Sequence, residues 1–135
     1  MKVLLFIFLS SVSQSLSAQQ KEIPEHVKIT FAGVWQYKNK YQTNTVEIRF
    51  ERGKDYALFR DVGNGMAPAR VLRAKMQGKQ LIIQAQWQKN DDVAMEVINR
   101  KLYLHTKPIQ YDEKGNILKT RKIETRVFNR VAFPR

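Results

Sequence analysis

The chain has 135 residues, no cysteine and a net charge of +12. Its length is enough to bury one hydrophobic core, and the absence of cysteine excludes folds that depend on disulfides. The excess of Lys and Arg favours anionic partners through long-range attraction, or serves only to keep an exported protein soluble. The absence of cysteine also excludes a thiol nucleophile.

Residues 1–18 have the layout of a secretory signal peptide. Lys2 precedes an apolar run from Val3 to Leu9, and small and polar residues then lead to Ala18, the expected cleavage point. The apolar run would span only about 10 Å as a helix, against roughly 30 Å of hydrocarbon in a bilayer. We therefore expect an exported protein, periplasmic or secreted, without a transmembrane anchor.

The mature chain divides into a short polar leader and one domain. The leader covers residues 19–30, is interrupted by Pro24, and is expected to be mobile or to form one short turn. From residue 31 to residue 135 the chain alternates apolar and polar residues, as half-buried antiparallel strands do. Turn-forming residues separate eight predicted strands, at 31–38, 44–51, 55–61, 69–76, 79–88, 92–98, 101–107 and 118–131.

The short connections between these strands favour an up-and-down order. An open sheet of eight strands would leave two edges free to pair with other chains, and closure into a barrel removes both. The predicted fold class is all-β, an eight-stranded antiparallel up-and-down barrel. A two-sheet sandwich is the alternative, although sandwiches usually need longer crossing connections.

Two motifs at the ends of the domain carry a family resemblance. Phe-Ala-Gly-Val-Trp at 31–35 contains G-x-W, and residues 125–128 read Thr-Arg-Val-Phe. They resemble the first and last strands of the calycin superfamily, which includes the lipocalins and the fatty-acid-binding proteins. The resemblance is to a minimal, lipocalin-like domain of small exported bacterial proteins, and it implies that Arg126 packs over Trp35 as a structural closure pair at the barrel floor.

Two features of the fatty-acid-binding proteins are missing. Phe128 stands where they carry a tyrosine, which removes the hydroxyl of their carboxylate clamp, and residues 38–44 are too short for their helical lid.

The two faces of the last strand give conflicting indications of which face is buried. One face carries Glu124, Arg126, Phe128 and Arg130, and the other carries Ile123, Thr125, Val127 and Val131. We expect Arg126 to face inward, with a bulge near Thr125 or a covered outer wall accommodating the apolar set.

Residue types that perform catalysis are scarce. Every serine lies in residues 1–18, so a serine nucleophile is excluded from the mature chain. His26 and His105 are far apart in sequence, and Asp91–Asp92 and Asp112–Glu113 lie at predicted turns. We expect no catalytic residues, no metal site, no cofactor and no enzymatic activity.

The expected function is binding of a small apolar or amphipathic ligand inside the barrel. The expected ligand-binding residues are Trp35, Tyr37, Phe50, Leu58, Trp87, Met95, Leu104 and Arg126. The alternative is a surface-binding or inhibitor protein that uses its basic face, rich in Lys and Arg at 119–135, and its rim loops on an anionic partner. That partner would be an anionic envelope component or an acidic protein, and export makes nucleic acid an unexpected partner. Salt dependence distinguishes the two functions, because surface attraction is screened and cavity binding of a neutral ligand is not.

Overall fold

A computed structural model describes residues 21–133, and the predicted signal peptide lies outside these residues. The helix and the strands are α1 (Glu25–Phe31), β1 (Gly33–Lys38), β2 (Thr43–Phe50), β3 (Tyr56–Gly63), β4 (Arg70–Gln77), β5 (Gln80–Ile83), β6 (Asp92–Ile98), β7 (Lys101–Lys107), β8 (Ile109–Tyr111), β9 (Ile117–Thr120) and β10 (Glu124–Ala132).

Eight of these strands form a closed antiparallel barrel. Around the barrel the order is β1, β10, β7, β6, β5, β4, β3 and β2, and β8 and β9 form a separate two-stranded hairpin. Each strand therefore pairs with its neighbour in sequence, apart from this inserted hairpin, and β10 closes the barrel against β1. The predicted all-β, eight-stranded up-and-down barrel is confirmed.

Three predicted strands are shorter than expected. The strand predicted at 31–38 begins at Gly33, because Phe31 is the last residue of α1. The strand predicted at 79–88 ends at Ile83, because the carboxylate of Asp92 accepts the N–H of Ala85 at 2.6 Å and residues 86–90 form a turn. The strand predicted at 118–131 is divided at residues 121–123 into β9 and β10. The long connection after β7 is therefore a hairpin of its own, with β8 and β9 paired.

The leader contains a helix in place of the expected mobile segment or single turn. Pro24 precedes α1, and Glu25 in the first turn has the charge that a helix N-terminus favours. Phe31, at the last position, is 3% exposed, and Val27 packs partly buried against the same core. The helix therefore covers one end of the barrel.

The antiparallel order gives the barrel two different ends. We call the rim the four connections at one end, residues 39–42, 64–69, 84–91 and 108–123, and we call the opposite end, with α1 and the connections 51–55, 78–79 and 99–100, the closed end. The core fills the closed half, where the fully buried side chains are Trp35, Ile48, Ala57, Ala74, Leu81, Met95 and Leu102.

Candidate functional site

The rim half of the barrel contains a cavity of about 310 Å³ that is partly open to solvent. Its apolar wall consists of the inward-facing residues Val46, Phe59, Leu72, Val93, Leu104 and Phe128. Its polar wall, nearer the rim, consists of Asn44, Asp61, Arg70, Asn90, Asp91, Thr106, Glu124 and Arg126. The barrel is thus packed in one half and partly hollow in the other, with apolar residues below and polar residues above. At the base of the cavity, Val46, Phe59, Leu104 and Phe128 are only 2–8% exposed and also belong to the core.

Several polar groups of the cavity are committed to the structure. Arg70 lies 3.7 Å from the carboxylate of Asp61 and donates a 2.7 Å hydrogen bond to the carbonyl of Lys89. This side chain therefore ties β4 to the connection between β5 and β6. Asp91 accepts the N–H of Ile109 at 3.2 Å, which fastens the start of β8 to the same connection.

Arg126 is differently placed. Its guanidinium lies 5.4 Å from the ring centroid of Tyr37, and that ring in turn lies 5.9 Å from the ring of Phe128. Within residues 21–133, no carboxylate comes within 4.0 Å of Arg126. Glu124 lines the same cavity without forming an ion pair with it. The cavity wall therefore carries a guanidinium that packs over the ring of Tyr37 and is available to an anionic group.

Of the eight residues expected to line a ligand site, the structure brings only Leu104 and Arg126 to the cavity. Trp35 and Met95 are fully buried in the closed half, beneath the cavity. Tyr37 and Phe50 are partly buried against the core.

The other two expected residues lie elsewhere. Leu58 lines a groove between α1 and the outer face of β2 and β3, and Trp87 is 43% exposed on the rim.

The ligand-binding residues expected from the sequence include only one of the six apolar cavity residues, Leu104, and miss the other five. Their shared property is a position on the inward face of a strand close to the rim, and that end could be recognised only once the strand bounds were known.

The structure places a different arginine over Trp35. The guanidinium 4.4 Å from the indole ring belongs to Arg130, and Trp35 and Arg130 are direct partners across β1 and β10. This corrects the expected pairing with Arg126. Trp35 is the third residue of β1, so its antiparallel partner lies near the third residue from the end of β10, which is Arg130.

Arg130 also fastens the helix to the barrel. Its guanidinium donates to the carbonyls of Ile29 and Thr30 in the last turn of α1, and it stacks 4.8 Å from the ring of Phe133. Burial lowers the pKa of Arg130 below its usual value, because the charged form loses hydration. Trp35 completes the joint by donating from Nε1 to the carbonyl of Phe31 at 2.8 Å.

Gly33 explains the first residue of the G-x-W motif. Its φ is +136°, and a Cβ at this position would lie 2.5 Å from the carbonyl oxygen of Ala132. A side chain would therefore collide with the backbone of β10 where the barrel closes. The motif thus has two structural roles, since Gly33 admits the last strand and Trp35 carries the closing arginine.

His105 lies on β7 and is committed to hydrogen bonds. One ring nitrogen is 2.8 Å from the hydroxyl of Thr125, and the other is 3.1 Å from the carboxylate of Glu96, on the two neighbouring strands.

Within residues 21–133, no three His, Asp or Glu side chains converge as metal ligands. Over the same residues, no helix has the length and apolar character needed to cross a membrane.

Fold and cavity together define a closed, eight-stranded antiparallel barrel with one hollow end, an architecture consistent with the calycin or lipocalin-like fold. Comparison of the chain with family models, curated proteins and solved structures gives no match.

Proposed function

We propose that the protein is a non-enzymatic binding protein that holds a small amphipathic ligand in the rim half of its barrel. The observation that carries this proposal is the position of Arg126, a guanidinium without a carboxylate partner among the described residues, on the wall of a cavity with an apolar floor. A cavity of about 310 Å³ is at the small end of the range for ligand sites, roughly 300 to 1,000 Å³. The proposed ligand is accordingly small, with an apolar body and an anionic head.

Each part of such a ligand has a matching surface. The apolar body would contact side chains such as Phe59, Leu72 and Leu104, where contact with hydrocarbon replaces contact with water. The anionic head would accept hydrogen bonds from Arg126, in a site where partial exclusion of water strengthens the interaction. Two acids of the cavity do not compete strongly with the ligand head for Arg126, because each has another partner. Asp61 is paired with Arg70, and Asp91 accepts a backbone N–H.

Decanoate and decanol provide a direct test, since they share an apolar chain and differ in the charge of the head. Calorimetry should show decanoate binding to the mature protein, with affinity reduced about tenfold or more in Arg126→Gln, because a hydrogen bond to a charged group contributes about 1.5–3 kcal/mol. Decanol binding should be weaker and unchanged by this substitution. Arg73→Gln is the matched control, because Arg73 lies on the outer face over the ring of Tyr56.

Two results would overturn the proposal. The first is the absence of binding by either probe to the folded protein. The second is an equal loss of decanoate affinity in Arg126→Gln and Arg73→Gln, which would indicate a general effect of surface charge. A Leu104→Trp variant, which fills the cavity, should weaken both probes together.

We propose further that the chain is a calycin, a minimal lipocalin-like domain, exported to the periplasm or the medium. The G-x-W motif at the closing strand, with the roles of Gly33 and Trp35 described above, supports the family assignment. The apolar run before Ala18 supports export. Mass spectrometry of the exported protein should give an N-terminus at or within a residue or two of Gln19, and retention of Met1 would contradict export by cleavage.

A further inference from the structure

We propose that the rim docks on the surface of a lipid bilayer that contains anionic lipids. Every rim connection exposes at least one large apolar side chain: Tyr41 (86% exposed), Met66 (88%), Trp87 (43%), and in the last connection Ile117, Leu118 and Ile123 (55–65%). The connections of the closed end, residues 51–55, 78–79 and 99–100, contain no large apolar residue. The closed end also exposes apolar side chains, Ile29 in α1 (65%) and Ile98, Val131 and Phe133 at the strand ends (43–72%), but none of them lies in its three connections. Only the rim carries an exposed apolar side chain in every connection.

Exposure of this kind is unfavourable in water and favourable at a membrane interface. Isolated exposed apolar residues are common on protein surfaces, but their presence in all four connections of one end marks an interaction surface. Tyr and Trp, present here as Tyr41 and Trp87, are the residues that prefer the level of the lipid head groups.

Part of the rim is held as one block. A Cβ on Gly115, at the turn of the β8–β9 hairpin, would lie 2.8 Å from the indole ring of Trp87, so the ring lies directly against this turn. Asp91 accepts the N–H of Ile109 at the base of the same hairpin. The hairpin and the 84–91 connection therefore form one block that carries Trp87, Ile117 and Leu118, with Ile117 and Leu118 on opposite faces of β9. Because this block is already held together, little ordering is needed on docking.

The positive charge of the rim favours a bilayer that contains anionic lipids. The rim connections carry the exposed cations Lys40, Lys89, Lys114, Lys119, Arg121 and Lys122. They carry only three acids, Asp91, Asp112 and Glu113. Asp112 is engaged in its own turn, where the backbone N–H of Asn116 lowers the pKa of its carboxyl. Cations near a leaflet surface attract anionic head groups, each contributing up to about fivefold in binding.

A bilayer fits these observations better than a protein partner. The apolar side chains stand on four separate connections around the mouth of the cavity. The groove of about 420 Å³ that Trp87 lines on the rim is lined mainly by polar residues and does not reach the exposed apolar side chains of the other connections. A protein partner would need a surface with matching relief, whereas a head-group layer accepts such side chains one by one. The inference extends the proposed function, because the cavity opens at the rim and a docked barrel would face the bilayer with its mouth.

Vesicle binding tests the inference separately from ligand binding. Mature protein is mixed with phosphatidylcholine vesicles, with and without about one-third phosphatidylglycerol, and bound protein is measured by sedimentation. We expect binding to the anionic vesicles only, falling as salt is raised. Brominated lipids should quench Trp87 and spare Trp35, which is fully buried at the closed end. Failure of decanoate binding with intact vesicle binding would overturn only the cavity function.

Matched variants locate the contact. Ile117→Ser/Leu118→Ser should weaken vesicle binding about tenfold or more, since two exposed apolar side chains are removed. Ile98→Ser, an exposed apolar position at the closed end, should leave binding unchanged. Lys119→Glu/Lys122→Glu should weaken binding similarly, whereas Lys79→Glu/Arg100→Glu at the closed end should not.

The inference is overturned if the anionic vesicles bind no protein, or if rim and closed-end variants weaken binding equally. It is also overturned if binding is the same with and without phosphatidylglycerol, or if it requires an added acidic protein. Circular dichroism verifies that each variant is folded. If the hairpin variant is unfolded, Tyr41→Ser/Met66→Ser gives the same test on side chains that are 86% and 88% exposed.

Discussion

The joint between Trp35 and Arg130 should determine much of the stability of the barrel. In Arg130→Met the apolar stem is retained, but the stacking on Trp35 and the hydrogen bonds to the carbonyls of Ile29 and Thr30 are lost. Stacking on an indole contributes about 1–2 kcal/mol when desolvated. The two hydrogen bonds add about 1 kcal/mol after the burial cost of the guanidinium is deducted. We expect the free energy of unfolding to fall by about 2–3 kcal/mol.

Arg126→Met is the matched control, because Arg126 occupies the same face of the same strand. Its guanidinium lies 5.4 Å from Tyr37 and is not in contact with α1, so we expect a loss below about 1 kcal/mol. A double-mutant cycle separates the two arginines further. Trp35→Leu should couple to Arg130→Met by about 1 kcal/mol and should be additive with Arg126→Met.

Urea melts of the wild type, the three single variants and the two double variants provide all the terms of both cycles. Additivity of Trp35→Leu and Arg130→Met within about 0.5 kcal/mol would show that the two side chains do not interact. Coupling of Trp35→Leu to Arg126→Met would show that the register of β1 against β10 is wrong.

Three further substitutions test neighbouring parts of the closed end. Gly33→Ala should destabilise the protein by about 2–4 kcal/mol in urea melts, since its Cβ meets the carbonyl of Ala132, whereas Gly53→Ala, with open space around it, should cost only about 1 kcal/mol. The N–H of Gly53 and then the ammonium of Lys28 lower the pKa of Glu22. The contacts of the Glu22 carboxylate therefore stabilise the fold at pH values above the usual carboxyl pKa. This stabilisation is lost as the pH falls through the lowered pKa. Between about pH 6 and about pH 3, wild type should therefore lose more stability than Glu22→Gln; equal losses would contradict the assigned contact.

The sequence predicted the fold well because alternation of apolar and polar residues reports directly on which strand face is buried. The strand prediction was wrong where the alternation continues but the residues have no partner strand in the barrel. Residues 84–88 alternate as well as Gln80–Ile83 does, yet the Asp92 side chain and the turn at 86–90 draw them out of the barrel. Such side-chain to backbone hydrogen bonds leave no periodic trace in a sequence.

The candidate site was harder to predict, because it depends on register as well as on strand faces. Arg126 and Arg130 lie on one face, and no pattern within β10 says which of them meets Trp35. The division of the interior into a packed and a hollow half also depends on where each strand ends. Inward residues near the rim, such as Leu72 and Val93, look identical in sequence to those of the core.

The position of β10 has a consequence for the order of folding. This strand is synthesised after the other seven strands of the barrel, and it pairs with β1 on one side and with β7 on the other. Until it arrives, the partial sheet has two unpaired edges, and the contact between Trp35 and Arg130 spans most of the chain, which makes it slow to form. Deleting β10 therefore removes one strand but exposes two edges to other chains.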